Sequence, residues 1–123
     1  MWEVSVKLDF SAAHQLRDYV GKCEHLHGHN WNVLIVVQCV RVDRLGMTMD
    51  FNLLRSKARD VLNELDHKFL NDVKPFDTEN PSAENIARFI FERLARKVNS
   101  DNCTLKKVAV FETPNTSASY MED

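Results

Sequence analysis

Residues 2–10, WEVSVKLDF, decide how the rest of the chain is interpreted. Apolar and polar residues alternate throughout this stretch. A period of two places the apolar side chains on one face of an extended strand, because successive side chains point to opposite faces. The stretch is therefore predicted to be a half-buried strand, and the sheet that contains it needs a layer of helices to cover its apolar face.

A second strand is predicted for residues 29–42, where apolar residues again take every second position. Residues 11–28, between the two strands, have mixed character and are predicted to form a loop that carries chemistry. Residues 43–46 are predicted to form a turn. The chain therefore begins with two strands that can pair as neighbours in one sheet.

The period then changes from two to about 3.6. Apolar residues recur at steps of three and four from residue 52 to residue 70, which predicts an amphipathic helix. A second helix is predicted to begin at Ser82, whose hydroxyl can accept a hydrogen bond from the first turn. Strands are predicted again at residues 104–112 and 116–121.

The order ββααββ predicts an α+β fold, with an antiparallel four-stranded sheet and both helices on one face. Such a sheet has two unprotected edges, which favour an oligomer that pairs them. At 123 residues the chain is predicted to be a single domain, residues 1–123.

Composition excludes several classes of function. The net charge of −2 gives no electrostatic reason to expect nucleic acid or an anionic membrane as a partner. No apolar run approaches the ~20 residues of a membrane span. The three cysteines are too few for a disulfide framework, and Cys39 and Cys103 are expected to be small core residues. A cytoplasmic protein is the expectation.

The segment CEHLHGHNW, residues 23–31, contains three of the five histidines. His27 and His29 are two residues apart, so they share a face in an extended segment and can hold one metal ion. His14 is the natural third ligand, because it follows the strand that pairs with the next one. Three imidazoles suit zinc and leave a coordination position open. Cys23 or His25 could supply a fourth ligand, or the histidines could be plain loop residues.

Two further positions carry possible chemistry. Asp66 precedes His67, and a carboxylate beside an imidazole can tune it for proton transfer; an isolated pair of this kind is usually just a solvated helix surface. Glu112 ends an otherwise apolar strand, where its carboxylate could accept two N–H donors from a ligand. Exposed glutamates at strand ends are nevertheless common.

Six segments together resemble one family over nearly the whole chain. FSAAHQL, KCEHLHGHNW, MTMDFNLL, LDHKFLND, NPSAENIA and FETPNTSASY occur in the order seen in the 6-pyruvoyltetrahydropterin synthase and 6-carboxytetrahydropterin synthase family. The resemblance implies the tunnelling fold, in which sheets join edge to edge into a barrel in a trimer. Two trimers stack, so the expected assembly is a homohexamer with active sites at subunit interfaces.

The resemblance also implies a role for each motif residue. It makes the histidines of AAH and HGH the ligands of Zn²⁺, and it makes the cysteine before HGH a catalytic acid or base. These residues are His14, His27, His29 and Cys23. It assigns Asp66 and His67 to proton relay.

The resemblance also implies which residues bind the pterin. Glu112 would hold the guanidine-like edge of the pterin, and Ser82 and Ala83 of the PSAEN segment would line the pocket. Ser82 stands where threonine is more usual. Of the basic residues, Lys22 and Lys68 are candidates to meet phosphate groups.

Only three residues separate Cys23 from His27, the short spacing that resembles bacterial 6-carboxy-5,6,7,8-tetrahydropterin synthases of queuosine biosynthesis. The expected substrate is 7,8-dihydroneopterin triphosphate, and the expected products are 6-carboxytetrahydropterin, acetaldehyde and triphosphate. Two alternatives remain: a 6-pyruvoyltetrahydropterin synthase, which eliminates triphosphate without carbon–carbon cleavage, and a non-catalytic binding module that zinc stabilises.

Overall fold

The computed structural model describes residues 1–20 and 24–123 as one sheet covered by two helices. Two long strands come first, and two further strands close the chain. The elements in order are β1 (Trp2–His14), β2 (His27–Cys39), α1 (Phe51–Leu62), β3 (Lys68–Phe69), α2 (Ala83–Val98), β4 (Cys103–Thr113) and β5 (Thr116–Tyr120).

The strands form a single sheet in the order β3-β1-β2-β4-β5. The four long strands pair antiparallel, as the sequence predicts. The predicted four-stranded, wholly antiparallel sheet is nevertheless wrong in one detail, because the two-residue β3 adds a fifth strand parallel to β1. A strand of two residues is too short to produce a visible period in the sequence.

The first two strands extend further into the segment between them than the sequence predicts. β1 continues to His14 and β2 begins at His27, so parts of the predicted loop at residues 11–28 belong to the sheet. β2 also ends at Cys39 rather than at residue 42. This extension matters because it carries His14 and His27 into one antiparallel pair.

Helix α1 ends at Leu62, well before the predicted end at residue 70. Leu65 remains fully buried in phase with the helix, which explains the continued apolar period. The backbone tightens into three-residue turns there, with the N–H of Leu65 donating to the carbonyl of Leu62. His67 then adopts a positive φ of 59°, which a helix cannot continue through.

The core lies between one face of the sheet and the two helices. Alternate residues of β1 and β2 fill it together with the apolar stripes of α1 and α2. Ser82 caps α2 as predicted, its Oγ accepting from the N–H of Asn85 at 3.2 Å. Both helices therefore cover the same sheet face, which confirms the predicted α+β architecture. Neither has the length and apolar character of a membrane-spanning helix.

Cys39 and Cys103 are buried, as predicted for small core residues. They also lie directly opposite each other in the register of β2 and β4, and the structure joins them in a disulfide. The sequence analysis does not predict this pairing, because it depends on which residues the two strands bring face to face.

Candidate metal centre and active site

The three predicted ligands meet at one end of the paired strands β1 and β2. His14 pairs with His27 in the register of β1 and β2, and His29 lies opposite Ala12. All three side chains take the parity of the core face, so they continue the apolar rows of the two strands beyond the core. His14 is 1% exposed, and the ring centroids of the three histidines lie 4.5–5.4 Å apart.

Backbone carbonyls fix the orientation of two of these rings. Nδ1 of His14 lies 2.7 Å from the carbonyl oxygen of Pro81, and Nδ1 of His27 lies 2.8 Å from that of His25. A carbonyl only accepts, so each Nδ1 carries the hydrogen and each Nε2 presents a bare lone pair. The two Nε2 atoms nevertheless face each other at 2.9 Å. Two lone pairs at that distance call for a cation or a proton between them.

His29 and Glu112 complete the group. Nε2 of His29 is buried and lies 2.8 Å from Oε1 of Glu112, but the two atoms are not aligned for a hydrogen bond. The same carboxylate oxygen lies 3.7 Å from Nε2 of both His14 and His27. One donor atom from each of the four residues lies within 4.8 Å of the others, so this group could hold a metal ion.

The electrostatics favour neutral imidazole, the form that binds metal. Burial lowers the pKa of His29 from its ordinary value of 6.5, and the neighbouring His27 and His14 act in the same direction. The carboxylate of Glu112 opposes this shift. A site of three imidazoles with one carboxylate at its margin matches the donor preference of zinc.

The group of His14, His27, His29 and Glu112 is called the metal group from here on. Trp31 packs against its histidines, and Arg17 holds the loop beside it. The Trp31 ring is fully buried edge-on to His14 and His29, and its Nε1 donates to the Ala12 carbonyl at 3.2 Å. Arg17 follows β1 and donates from its guanidinium to the carbonyls of Phe76 and Glu79. These bonds tie the loop that ends at Pro81 to the end of β1, which positions the carbonyl that orients His14.

Asp66 and His67 form a pair of their own at the outer edge of β1. Oδ1 of Asp66 lies 3.1 Å from Nδ1 of His67 and accepts a hydrogen bond from the N–H of Ser11 at 2.9 Å. The N–H of His67 donates to the Ser11 carbonyl at 2.6 Å. The hydrogen bond from Ser11 is the main cause that lowers the pKa of Asp66, and His67 acts in the same direction. The pair is therefore an oriented carboxylate–imidazole dyad.

Within the part of the chain that the structure describes, the dyad forms no hydrogen bond or ion pair with the metal group. Among the described residues, the His67 side chain has no hydrogen-bond partner other than Asp66, and it is 80% exposed. It lines an open cavity of about 500 Å³ with Lys68, Gly28 and His29. Lys68, a candidate for phosphate binding, therefore lies beside the dyad.

The predicted pterin residues lie on the opposite side of the metal group. Ala83 and Glu112 line a small pocket of about 120 Å³, and strand β5 supplies the hydroxyls of Thr116 and Ser117. Ser82 is adjacent, with its hydroxyl engaged as the cap of α2. Glu112 is thus shared between the pocket and the metal group. Sequence reasoning assigned Glu112 to the pocket alone and missed the two β5 hydroxyls.

Four residues just before the HGH motif have different outcomes. Cys23, the predicted acid or base, and Lys22 lie outside the described residues. His25 is exposed, and its contribution is the backbone carbonyl that orients His27. Glu24, which the sequence analysis did not consider, places Oε1 3.8 Å from Nε2 of His27.

Comparison with known proteins identifies the family. A family model described as 6-pyruvoyl tetrahydropterin synthase matches residues 3–123. The chain belongs to the 6-pyruvoyl tetrahydropterin synthase family. The predicted family membership is therefore confirmed, and the family match extends over both the metal group and the dyad.

Individual relatives of this family carry different names. The chain is 36% identical over 125 residues to a 6-carboxy-5,6,7,8-tetrahydropterin synthase of Synechocystis sp., covering 98% of this chain and 93% of that protein. It is 34% identical over 106 residues to a dihydroneopterin monophosphate aldolase of Pyrococcus furiosus, covering 86% of this chain and 85% of that protein. Members of the family are thus named as pterin synthases and as an aldolase.

The fold of the chain also matches that of a solved structure with the same family name. The 6-pyruvoyl tetrahydropterin synthase of Caenorhabditis elegans superimposes with a TM-score of 0.82 at 31% identity, covering 100% of this chain and 98% of that one. The predicted tunnelling fold is confirmed at the level of the single chain.

Proposed function

We propose that this chain is a zinc-dependent 6-carboxy-5,6,7,8-tetrahydropterin synthase of queuosine biosynthesis. It would convert 7,8-dihydroneopterin triphosphate and one water molecule to 6-carboxytetrahydropterin, with release of acetaldehyde and triphosphate. The observation that carries the proposal is the opposed pair of Nε2 atoms of His14 and His27, 2.9 Å apart and oriented by carbonyls. Similarity to the Synechocystis protein of that name supports the choice of product.

In this proposal His14, His27 and His29 would hold Zn²⁺ through their Nε2 atoms. When bound, zinc would polarise the hydroxyls of the substrate side chain. Glu112 lies at the edge of this group and also lines the pocket beside Ala83. Its carboxylate can therefore accept hydrogen bonds from the amino and ring N–H groups of a pterin while standing beside the metal.

Proton transfer is assigned to Cys23 with the Asp66–His67 dyad. Asp66 holds the Nδ1 side of His67, which leaves Nε2 of that ring free to exchange a proton with solvent or substrate. Conversion of the side chain requires repeated proton shifts between neighbouring carbons. A thiol and an imidazole that both exchange protons can carry these shifts in both directions.

The separation of dyad and metal group within one chain supports an oligomeric enzyme. β1 and β5 are the outer long strands, and the dyad lies on the edge of β1 whereas the pterin pocket lies against β5. Joining these edges between copies would bring the dyad of one copy to the pocket of the next. We therefore propose a homohexamer of two trimers, in the cytoplasm and without a nucleic-acid or membrane partner.

Product analysis tests the proposed reaction. Zinc-loaded protein is incubated with 7,8-dihydroneopterin triphosphate, and the pterins and aldehydes are identified by mass spectrometry. Formation of 6-carboxytetrahydropterin with acetaldehyde is expected. Formation of 6-pyruvoyltetrahydropterin would assign the alternative synthase. If the protein binds zinc and pterin but leaves the substrate unchanged, the non-catalytic module is the correct interpretation.

A second candidate reaction is aldol cleavage of a dihydroneopterin side chain. The Pyrococcus furiosus relative carries the name dihydroneopterin monophosphate aldolase, and Glu24 places a carboxylate 3.8 Å from His27. Such a carboxylate could take the hydroxyl proton that initiates cleavage of the neighbouring carbon–carbon bond. The same assay with 7,8-dihydroneopterin monophosphate distinguishes the reactions, because cleavage leaves a hydroxymethyl group on the pterin.

A further inference from the structure

The segment 15–17 follows His14 directly and lies outside the helices and strands. Its backbone is nevertheless completely bonded. Each of its residues pairs with one distant residue through both its N–H and its carbonyl group, and the pairs are Gln15 with Asn71, Leu16 with Glu24 and Arg17 with Asn80. An irregular segment whose backbone groups all have protein partners is held in one position.

Two asparagine amides take the place of a neighbouring strand for this segment. The amide of Asn71 accepts from the N–H of Gln15 at 2.9 Å and donates to its carbonyl at 2.8 Å. The amide of Asn80 accepts from the N–H of Arg17 at 2.7 Å and donates to its carbonyl at 2.9 Å. Because an amide offers a donor and an acceptor side by side, each asparagine satisfies both backbone groups. The segment is therefore fixed at both of its ends.

Glu24 connects this segment to the His27 side of the metal group. Its N–H donates to the Leu16 carbonyl at 3.0 Å, and its own carbonyl accepts from Nε2 of Gln15 at 2.8 Å. The next carbonyl along the chain, that of His25, is the one that accepts from Nδ1 of His27. This carbonyl lies between the peptide group that Gln15 holds and the start of β2 at His27. Its direction therefore depends on both.

Asn80 has the corresponding position on the His14 side. Its side chain is bonded to Arg17, and its carbonyl accepts from Nδ2 of Asn85 at 2.9 Å. The next carbonyl, that of Pro81, accepts from Nδ1 of His14. It lies between Asn80 and the N-cap of α2. Each carbonyl that orients one of the two opposed imidazoles thus follows a residue that is bonded to segment 15–17.

We propose that Gln15 and Asn80 are positioning residues for the metal group. Gln15 acts on His27, through the carbonyl that accepts from Nδ1 of that ring. Asn80 acts on His14 in the same way. Because the hydrogen bond at the second nitrogen of a ligand histidine orients its ring, loss of either support should weaken binding of the ion. This inference rests on the zinc site proposed above.

Gln15→Met tests the support of His27, because methionine keeps the length of the side chain but cannot donate to the Glu24 carbonyl. The matched control is Gln38→Met, at a half-buried glutamine of β2 for whose side chain no hydrogen bond is described. Zinc affinity is measured by competition with a coloured chelator. Gln15→Met should bind zinc roughly tenfold or more weakly than wild type, and Asn80→Ala should show a loss of similar size. Gln38→Met should bind zinc as wild type does.

A second measurement separates the orientation of one ring from a general loosening of the fold. The histidines are labelled with heavy nitrogen, and exchange of each Nδ1 proton with solvent is followed by NMR at saturating zinc. Gln15→Met should accelerate exchange at His27 and leave His14 unchanged. Asn80→Ala should do the reverse, because Asn71 still holds the other end of the segment. Gln15→Glu, whose ionised carboxylate cannot donate either, repeats the test if the methionine variant folds poorly.

The outcomes separate this inference from the proposed site. Wild-type zinc affinity in Gln15→Met would overturn the inference, and so would equal acceleration of exchange at both rings. A loss of affinity in Gln38→Met that matches the loss in Gln15→Met would also overturn it. A wild-type protein that binds no zinc would refute the proposed metal site and this inference together. Tight zinc binding by wild type and all variants refutes this inference alone.

Discussion

Replacing Asp66 tests how the dyad is built, because one carboxylate oxygen both anchors β1 and orients His67. Asp66→Asn keeps an oxygen that can accept from Ser11 but removes the charge, whereas Asp66→Ala removes the acceptor. A hydrogen bond to a charged group contributes about 1.5–3 kcal/mol when it is well protected. The Asp66 side chain is 25% exposed. We therefore expect solvent screening to reduce this contribution to about 1 kcal/mol for Asp66→Ala and about half of that for Asp66→Asn.

The sign of the pH dependence follows from the lowered pKa of Asp66. The hydrogen bond from Ser11 lowers this pKa below 3.8 in the folded chain, with His67 acting in the same direction. The contribution of the charge to stability is then fully present above 3.8 and is lost as the pH falls through the folded pKa. The free-energy difference between wild type and Asp66→Asn should accordingly shrink in acid. The difference for Asp66→Ala should persist, because a protonated carboxyl still accepts through its carbonyl oxygen.

The assay is urea unfolding followed by circular dichroism, from pH 7 down to the lowest pH at which the protein is folded. Asp60→Asn is the matched control, an exposed carboxylate on the preceding helix α1 for which no partner is described. Suppose that Asp66→Asn and Asp66→Ala lower the free energy of unfolding equally at every pH. The carboxylate would then not make separate contributions through its charge and through its acceptor oxygen. Turnover of Asp66→Asn should also fall, because His67 loses the carboxylate that orients its ring.

Three further outcomes are expected. His27→Ala should lose zinc, measured by atomic absorption, whereas Cys23→Ala should keep its zinc and lose turnover by ~10²–10⁴-fold; loss of zinc from the cysteine variant would make Cys23 a ligand. Glu112→Gln should raise KM for the pterin more than it lowers zinc content, and a loss of zinc without a change in KM would reverse that assignment. Trp31→Phe should lower the free energy of unfolding by about 1–3 kcal/mol, since it removes the bond to the Ala12 carbonyl and part of a buried ring; unchanged urea midpoints would contradict this.

The histidine group could be predicted from the sequence because its geometry is local. His27 and His29 share a face through strand parity alone, and His14 reaches them because consecutive strands pair. The place of Glu112 beside the same histidines could not be predicted. It depends on the register of β2 with β4, which shifts at a bulge between Val36 and Val37. A single residue of slip would turn that carboxylate to the other face.

The predicted helix and strand boundaries were wrong for a related reason. Leu65 keeps the apolar period of α1 although the backbone has already left the helix, so periodicity alone extends the helix too far. Beyond Leu62 the backbone N–H of His67 bonds to the distant carbonyl of Ser11, a contact that no local pattern reveals. Likewise, the pairing of Cys39 with Cys103 follows from strand register and not from the spacing of cysteines along the chain.

The hydrogen bond from His14 to the Pro81 carbonyl joins residues 67 positions apart. The orientation of the His14 ring, and so of its Nε2, is thus set by a loop that contributes no proposed ligand. Arg17 in turn fixes that loop. Exchange or lengthening of residues 77–80 would be expected to rotate the His14 ring without substituting any proposed ligand residue. For the proposed zinc site, metal preference is therefore expected to change on loop grafting, with every ligand residue retained.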